Sequence, residues 1–194
     1  MNPRMIVIAG PPGSGKSSAF PVAKFGVAYF NADDRAAELN GGSYQRISRD
    51  IRQIVNREFE AFILGCIARG ESFAIETTLR SSVTFEQARL AREAGFTVEI
   101  MYMALEGFPM HLQRIKIRSD AGGHSASDSV LRGIYESSLR NLVLAVDEAD
   151  ELYVYDNSEL EAEPRLVMES RDGQIVFLAD NPPHWLTEAF GWQA

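Results

Sequence analysis

Residues Gly10 to Ser17 read Gly-Pro-Pro-Gly-Ser-Gly-Lys-Ser and fit the phosphate-binding pattern G-x-x-x-x-G-K-[ST] at every fixed position. The chemistry such a stretch performs is anion capture. Gly13 and Gly15 let successive backbone N–H groups turn inward around a polyphosphate, and the start of the following helix adds partial positive charge. Lys16 reaches the β- and γ-phosphates, and the Ser17 hydroxyl holds Mg²⁺. Gly10, Pro11, Pro12, Ser14 and Ser18 complete the expected nucleotide-binding loop, with ATP or GTP as co-substrate. The context agrees: Met5 to Ala9 is a short apolar run suited to a buried parallel strand, and a helix-capable segment opens at Ser17.

Two further groups of residues bear on the same chemistry. Asp33, Glu76 and Asp156 each follow the end of a different apolar run, and phosphoryl transfer needs at least one acid as a base or as support for the metal. Position alone leaves their roles open, and Asp33 or Asp34 also suits the N-cap of a short helix Arg35 to Leu39. Arg114 and Arg118 lie four apart with Lys116 between them, so on a helix both guanidinium groups share a face and can address one anion. Gly122 and Gly123 beyond them suit a segment that closes as a lid. His124 then offers a phosphate or acceptor contact, or a solvent-facing structural role.

These groups require strands alternating with helices. The spacing predicts a first helix to about Phe25, kinked or ended early by Pro21, then a buried strand Val27 to Phe30. A long helix from Tyr44 to Arg69, capped by Ser43, carries Ile51, Val55, Phe59, Phe62, Ile63 and Cys66 at helical spacing. Phe73 to Ile75 is a strand that delivers Glu76; a helix Ser82 to Ala94, a strand Phe96 to Met103 and a helix Phe108 to Arg118 follow. Ser127 or Asp128 caps a helix to Val146, and Leu152 to Tyr155 is the fifth strand. Asp172-Gly173 marks a hairpin between Leu166–Met168 and Ile175–Leu178.

The expected fold is an α/β three-layer sandwich with a central parallel five-stranded sheet of the P-loop, nucleotide-kinase-like kind, plus a C-terminal β-hairpin. The 194 residues suit a single domain, its core at 4–158 and a hairpin and tail at 159–194. With 45% apolar and 24% charged residues, the composition is that of an ordinary globular chain. A net charge of −8 opposes binding along a nucleic-acid backbone. No apolar run reaches the ~18 residues of a membrane span, and the N-terminus has no secretory signal pattern. The single Cys66 reads as a small core residue, and the whole suits a reducing cytoplasm. Trp185 and Trp192 read as core or edge-covering residues.

Taken together, the glycine loop, Asn31-Ala-Asp-Asp34, Ala74-Ile-Glu-Thr-Thr-Leu-Arg80, the arginine segment with Gly122-Gly-His124, and Tyr155-Asp-Asn-Ser158 resemble the zeta toxin family of P-loop phosphotransferases, over roughly residues 4 to 158. The resemblance implies transfer of the ATP or GTP γ-phosphate to a hydroxyl of a small-molecule acceptor, such as a UDP-activated N-acetyl sugar, and an antitoxin-like protein partner. It places the general base on Asp33, the acceptor contacts on Glu76 and Thr78 with Arg80 beside them, and the lid arginines on Arg114 and Arg118. The pattern departs where consecutive arginines are expected before Tyr135, because Arg132 is followed by Gly133 and Ile134. One lid or phosphate contact is therefore either missing or supplied by Arg132 alone.

Two other classes stay open at this stage. A regulatory P-loop ATPase driven by a protein partner needs no small acceptor. Asp120-Ala-Gly-Gly123 matches the D-x-x-G of GTPase switches, but no strand precedes it and no N-K-x-D motif occurs. A nucleic-acid end kinase is the third, opposed by the acidic balance.

Overall fold

The apolar run before the glycine loop is a central strand, β1 (Arg4–Ala9), in a computed structural model that describes residues 2–120 and 126–192, the stretch 118–120 by backbone alone. With β2 (Ala28–Phe30), β3 (Phe73–Thr77), β4 (Thr97–Ala104), β5 (Glu151–Asp156), β6 (Arg165–Arg171) and β7 (Gln174–Leu178) it forms one seven-stranded sheet, in the order β2-β3-β1-β4-β5-β6-β7. The first five strands are parallel. The expected hairpin does not stand apart; β6 pairs antiparallel with β5 and carries β7 to the sheet edge.

Side-chain alternation splits the core in two. Met5, Val7 and Ala9 of β1 enter one cluster, and Ile6 and Ile8 enter the other, as a period of two requires. The first cluster is built with α3 (Arg49–Arg69), α4 (Val83–Glu93), α6 (Asp128–Glu148) and α7 (His184–Phe190), which supply Ile63, Phe85, Leu142 and Trp185. The second face is thinner, covered by Val22, Phe20 and Phe25. Each aliphatic side chain buried in this way contributes roughly 1.5–3 kcal/mol.

Several expected boundaries move, each for a local reason. The first helix is only α1 (Lys16–Ala19); Pro21 has no N–H to continue it, and a 3-10 turn Val22–Phe25 follows. Strand β2 is an edge strand instead of a buried one, with Tyr29 half exposed. Neither Asp33 nor Asp34 caps the next helix. Asn31 does, its Oδ1 accepting the N–H groups of both, so α2 (Ala32–Leu39) starts before them. Ser43 does not begin the long helix either; the Asn40 side-chain amide donates to the carbonyls of Ser43 and Gln45 in a turn, and Ser48 caps α3 by accepting from the Ile51 N–H. Cys66 is fully buried, and so is Trp185. Among the described residues no helix is long and apolar enough to cross a membrane.

The topology fixes where ligands can go. The chain steps from β1 outward to β2 and β3, then crosses to β4 on the other side of β1. Carboxyl ends of strands at such a switch point leave a crevice. Ala9 pairs with Thr77 on one side and Tyr102 on the other, so the glycine loop, Glu76 and the end of β4 meet there.

Candidate phosphate-binding site

Gly10 leaves β1 at φ 139°, and a Cβ on it would run into the Met103 carbonyl of β4. Only glycine fits that close approach. A Cβ on Gly13 would stand 2.7 Å from the His111 carbonyl oxygen, and one on Gly15 would collide with the Asn157 amide while lying 3.6 Å from Arg114 Nη1. The loop is therefore pressed against β4, α5 (Gly107–Asp120) and the residue after β5. With four residues, α1 brings a small dipole, so the loop N–H groups carry anion capture. The Ser14 hydroxyl is fully buried without a hydrogen-bond partner, a group that a phosphate oxygen would satisfy.

Lys16, Ser17 and Glu76 come together as one unit. The Ser17 hydroxyl donates to Glu76 Oε1 at 2.8 Å, and Lys16 Nζ lies 3.5 Å from the same oxygen. Lys16 is 8% exposed, unusual for a lysine and affordable only with this carboxylate beside it. A hydroxyl and a carboxylate side by side suit Mg²⁺, which takes one or two protein ligands and completes its shell with water and phosphate oxygens. Among the described residues no group of three or more His, Cys, Asp or Glu side chains could cage a metal by itself. The residues present thus fit a phosphate-borne Mg²⁺.

The other strand-end acids part company. Asp33 is exposed in the first turn of α2, at the carboxyl end of the same sheet. Asp34 beside it accepts from the Tyr44 hydroxyl. Asp156 is taken up structurally: its Oδ1 accepts from Trp185 Nε1 at 3.1 Å and from the Ser158 hydroxyl at 2.5 Å, and Arg165 lies 3.9 Å from Oδ2.

After Glu76 the chain makes a tight bend. Thr77 Oγ1 accepts from the Leu79 N–H, and Leu79 is fully buried with φ 53°. A bulky residue in the left-handed region is strained and persists only where its surroundings hold it. Here Asn141 of α6 does so, donating to the Leu79 carbonyl at 2.8 Å. Thr78 and Arg80 flank this fixed residue, Thr78 partly buried and Arg80 exposed.

Helix α5 places Arg114 beside the loop. Its Nη2 donates to the Asn157 carbonyl at 2.8 Å. Arg118 lies on α5 by its backbone, and its side chain falls outside the described part; His124 lies outside the described residues. Arg132 is placed elsewhere, its guanidinium 4.4 Å from the centre of the Phe108 ring, in a groove of about 460 Å³ between α5 and α6 that no glycine-loop residue lines.

Two further neighbours are His111, which sequence reasoning passed over, and Asn157, which it met in Tyr155-Asp-Asn-Ser158 but gave no role. His111 Nε2 accepts from the Leu105 N–H at 3.0 Å, so the ring proton sits on Nδ1 and is donated to the Pro12 carbonyl at 2.9 Å. Burial pushes this imidazole down to about 4, and the nearby Lys16 and Arg114 charges push the same way. Asn157 Nδ2 donates to the Ser14 carbonyl at 2.8 Å. One signal was present: His111 stands three residues before Arg114, on the same face of one helix.

The sheet order, the crevice beside β1 and the Lys16–Ser17–Glu76 unit define a P-loop phosphotransferase of the nucleotide-kinase-like class. The Zeta toxin family profile matches residues 1–159, and the chain belongs to that family. It is 25% identical over 136 residues to an uncharacterized protein of Haemophilus influenzae, covering 70% of this chain and 94% of that one. Among solved structures it is similar to a chain of the PezAT chromosomal toxin–antitoxin system of Streptococcus pneumoniae, with TM-score 0.64 and 16% identity over 100% of this chain and 80% of that chain. It is also similar to a chain of the AvrRxo1-ORF1:-ORF2 complex crystallised with ATP, with TM-score 0.69 and 14% identity over 90% of this chain and 60% of that one.

Proposed function

We propose that this protein transfers the γ-phosphate of ATP or GTP to a hydroxyl of a small molecule, with a UDP-N-acetyl sugar as the first acceptor to test. The observation that carries the reading is the contact of Ser17 and Lys16 with Glu76 at the mouth of the glycine loop. The loop N–H groups and Lys16 bind the β- and γ-phosphates, and Ser17 holds Mg²⁺ with Glu76 beside it. When bound, the ion neutralises charge on the phosphates and keeps their oxygens in place. Asp33 accepts the proton of the acceptor hydroxyl as that oxygen bonds to the γ-phosphorus. The bond from the γ-phosphorus to the β–γ bridging oxygen breaks, and the nucleoside diphosphate leaves. Arg114, joined by Arg118 further along α5 and by His124, offsets the charge on the moving phosphoryl group.

Thr78 and Arg80 lie on the fixed bend after β3, which supports a role in orienting the acceptor. Glu76 is better used on the metal side than on the acceptor, because its carboxylate already faces Ser17. Arg132, stacked on Phe108, is assigned to the outer end of an extended acceptor. Similarity to a chain of a toxin–antitoxin system supports an antitoxin-like protein partner in the cytoplasm. The net charge of −8 supports neither a nucleic-acid nor an anionic-membrane partner.

Incubation with γ-labelled ATP or GTP, Mg²⁺ and a panel of sugar nucleotides and nucleosides tests this, with mass detection of a product carrying one added phosphate. Nucleotide hydrolysis stimulated by an added protein, with no phosphorylated metabolite, would point to a regulatory ATPase instead.

A further inference from the structure

We infer that His111 and Asn157 are positioning residues of the phosphate cradle, each holding one carbonyl of the glycine loop away from the anion. The inference rests on the phosphate-binding reading above and assigns work to two residues outside the P-loop pattern. A cradle of inward N–H groups requires the carbonyls between them to point outward, and a carbonyl turned into protein needs a donor there. Pro12 O receives one from His111 Nδ1 at 2.9 Å, and Ser14 O receives one from Asn157 Nδ2 at 2.8 Å. The two carbonyls flank Gly13, whose φ of 79° is the turn of the loop.

Both donors hang from one corner of the sheet. The Leu105 N–H donates into His111 Nε2, and the Asn157 N–H donates to the carbonyl of Ala104, the residue before it. Met103, one residue earlier, is the backbone against which Gly10 is pressed. His111 is 1% exposed, and its ring centre lies 5.1 Å from that of Tyr135, so it has no second orientation to adopt. Arg114 ties the pair together by donating to the Asn157 carbonyl from the turn of α5 after His111. The loop is thus held in its anion-binding shape by the end of β4 before any phosphate arrives, and preorganisation of this kind raises affinity by removing the ordering cost from the binding step.

The test is calorimetric ATP binding with Mg²⁺ to the parent, His111→Asn, His111→Gln, Asn157→Asp and Lys16→Ala, with melting temperatures measured in parallel. Asparagine sets an amide N–H where Nδ1 lies and keeps the bond to Pro12; glutamine sets an oxygen near Nε2 and keeps only the bond to Leu105. The expected result is an affinity within about threefold of the parent for His111→Asn and at least about tenfold weaker for His111→Gln. Asn157→Asp, which turns an acceptor toward the Ser14 carbonyl, weakens ATP by at least about tenfold as well. Equal affinities for the two His111 variants, or parent-like binding by Asn157→Asp, overturn the inference. Should His111→Gln fail to fold, Asn157→Asp decides alone. A parent that binds ATP no better than Lys16→Ala removes the phosphate-binding reading itself, a different outcome from parent binding that survives the brace substitutions.

Discussion

The Ser17 hydroxyl and the Glu76 carboxylate stand 2.8 Å apart across the crevice between β1 and β3. Of the three acids at strand ends, Glu76 is the one paired with the glycine loop. Glu76→Gln keeps the shape and removes the charge, so ATP binding without metal persists and the gain from Mg²⁺ shrinks. Calorimetry with and without Mg²⁺ should show that gain reduced by about tenfold or more, or about 1.4 kcal/mol. An unchanged gain would move the metal to another acid.

Asp33 is exposed and free to meet a solvent-borne acceptor. Asp33→Ala should lower phosphoryl transfer by about 10²–10⁴-fold, the usual weight of a general base. ATP affinity should stay within about twofold of the parent, since Asp33 makes no nucleotide contact in this reading. Transfer at the parent rate would remove the base assignment.

Gly10 and Gly41 separate two costs of a positive φ. At Gly10 a side chain meets the Met103 carbonyl, whereas at Gly41, φ 68°, nothing lies within 4 Å. Gly41→Ala should cost about 1 kcal/mol, the strain of the left-handed region alone. Gly10→Ala should cost at least about 3 kcal/mol, because the backbone of β4 has to move. Urea unfolding of both variants measures the difference.

His111 makes stability depend on pH. Its native value of about 4 lies below the ordinary 6.5, so the unfolded chain binds the proton more readily. The contribution is full above pH 6.5 and is lost as pH falls toward about 4, up to roughly 3 kcal/mol in all. Urea unfolding of the parent and His111→Gln at several pH values should show the gap between them narrowing across that window. A gap constant from pH 7.5 to 4.5 would contradict the buried neutral imidazole.

Asp156 and Trp185 form a structural pair. Asp156→Ala should leave the indole N–H buried without its acceptor and cost about 1–3 kcal/mol. Tryptophan fluorescence during urea unfolding reads the loss, and ATP affinity should stay near the parent value. A collapse of ATP binding with stability intact would return Asp156 to the site.

Much of this molecule was legible in its residues because the signals were local. A glycine pattern between an apolar run and a helix start specifies the loop, since a backbone cradle needs those φ values at those positions. Alternation of Met5, Val7 and Ala9 with Ile6 and Ile8 specifies a strand buried on both faces. The cap of α3 was misplaced from Ser48 to Ser43, because two serines offer the same hydroxyl and only the Asn40 side chain, holding the intervening turn, chooses between them.

Strand order and partner choice were not local. Nothing in the spacing distinguishes Glu76 from Asp156, each at the end of a parallel strand. β3 lies directly beside β1, whereas β5 lies beyond β4 and its aspartate is claimed by Trp185, which is 29 residues away in the chain. The bond from His111 to Pro12 spans 99 residues and that from Asn157 to Ser14 spans 143. The sequence by itself determined the loop, the strands and the acids and arginines on offer, because each depends on neighbours along the chain. Only the tertiary structure decided which of them face the phosphates and which side chains brace the loop, because hydrogen bonds act over about 3 Å and only folding brings such distant residues that close.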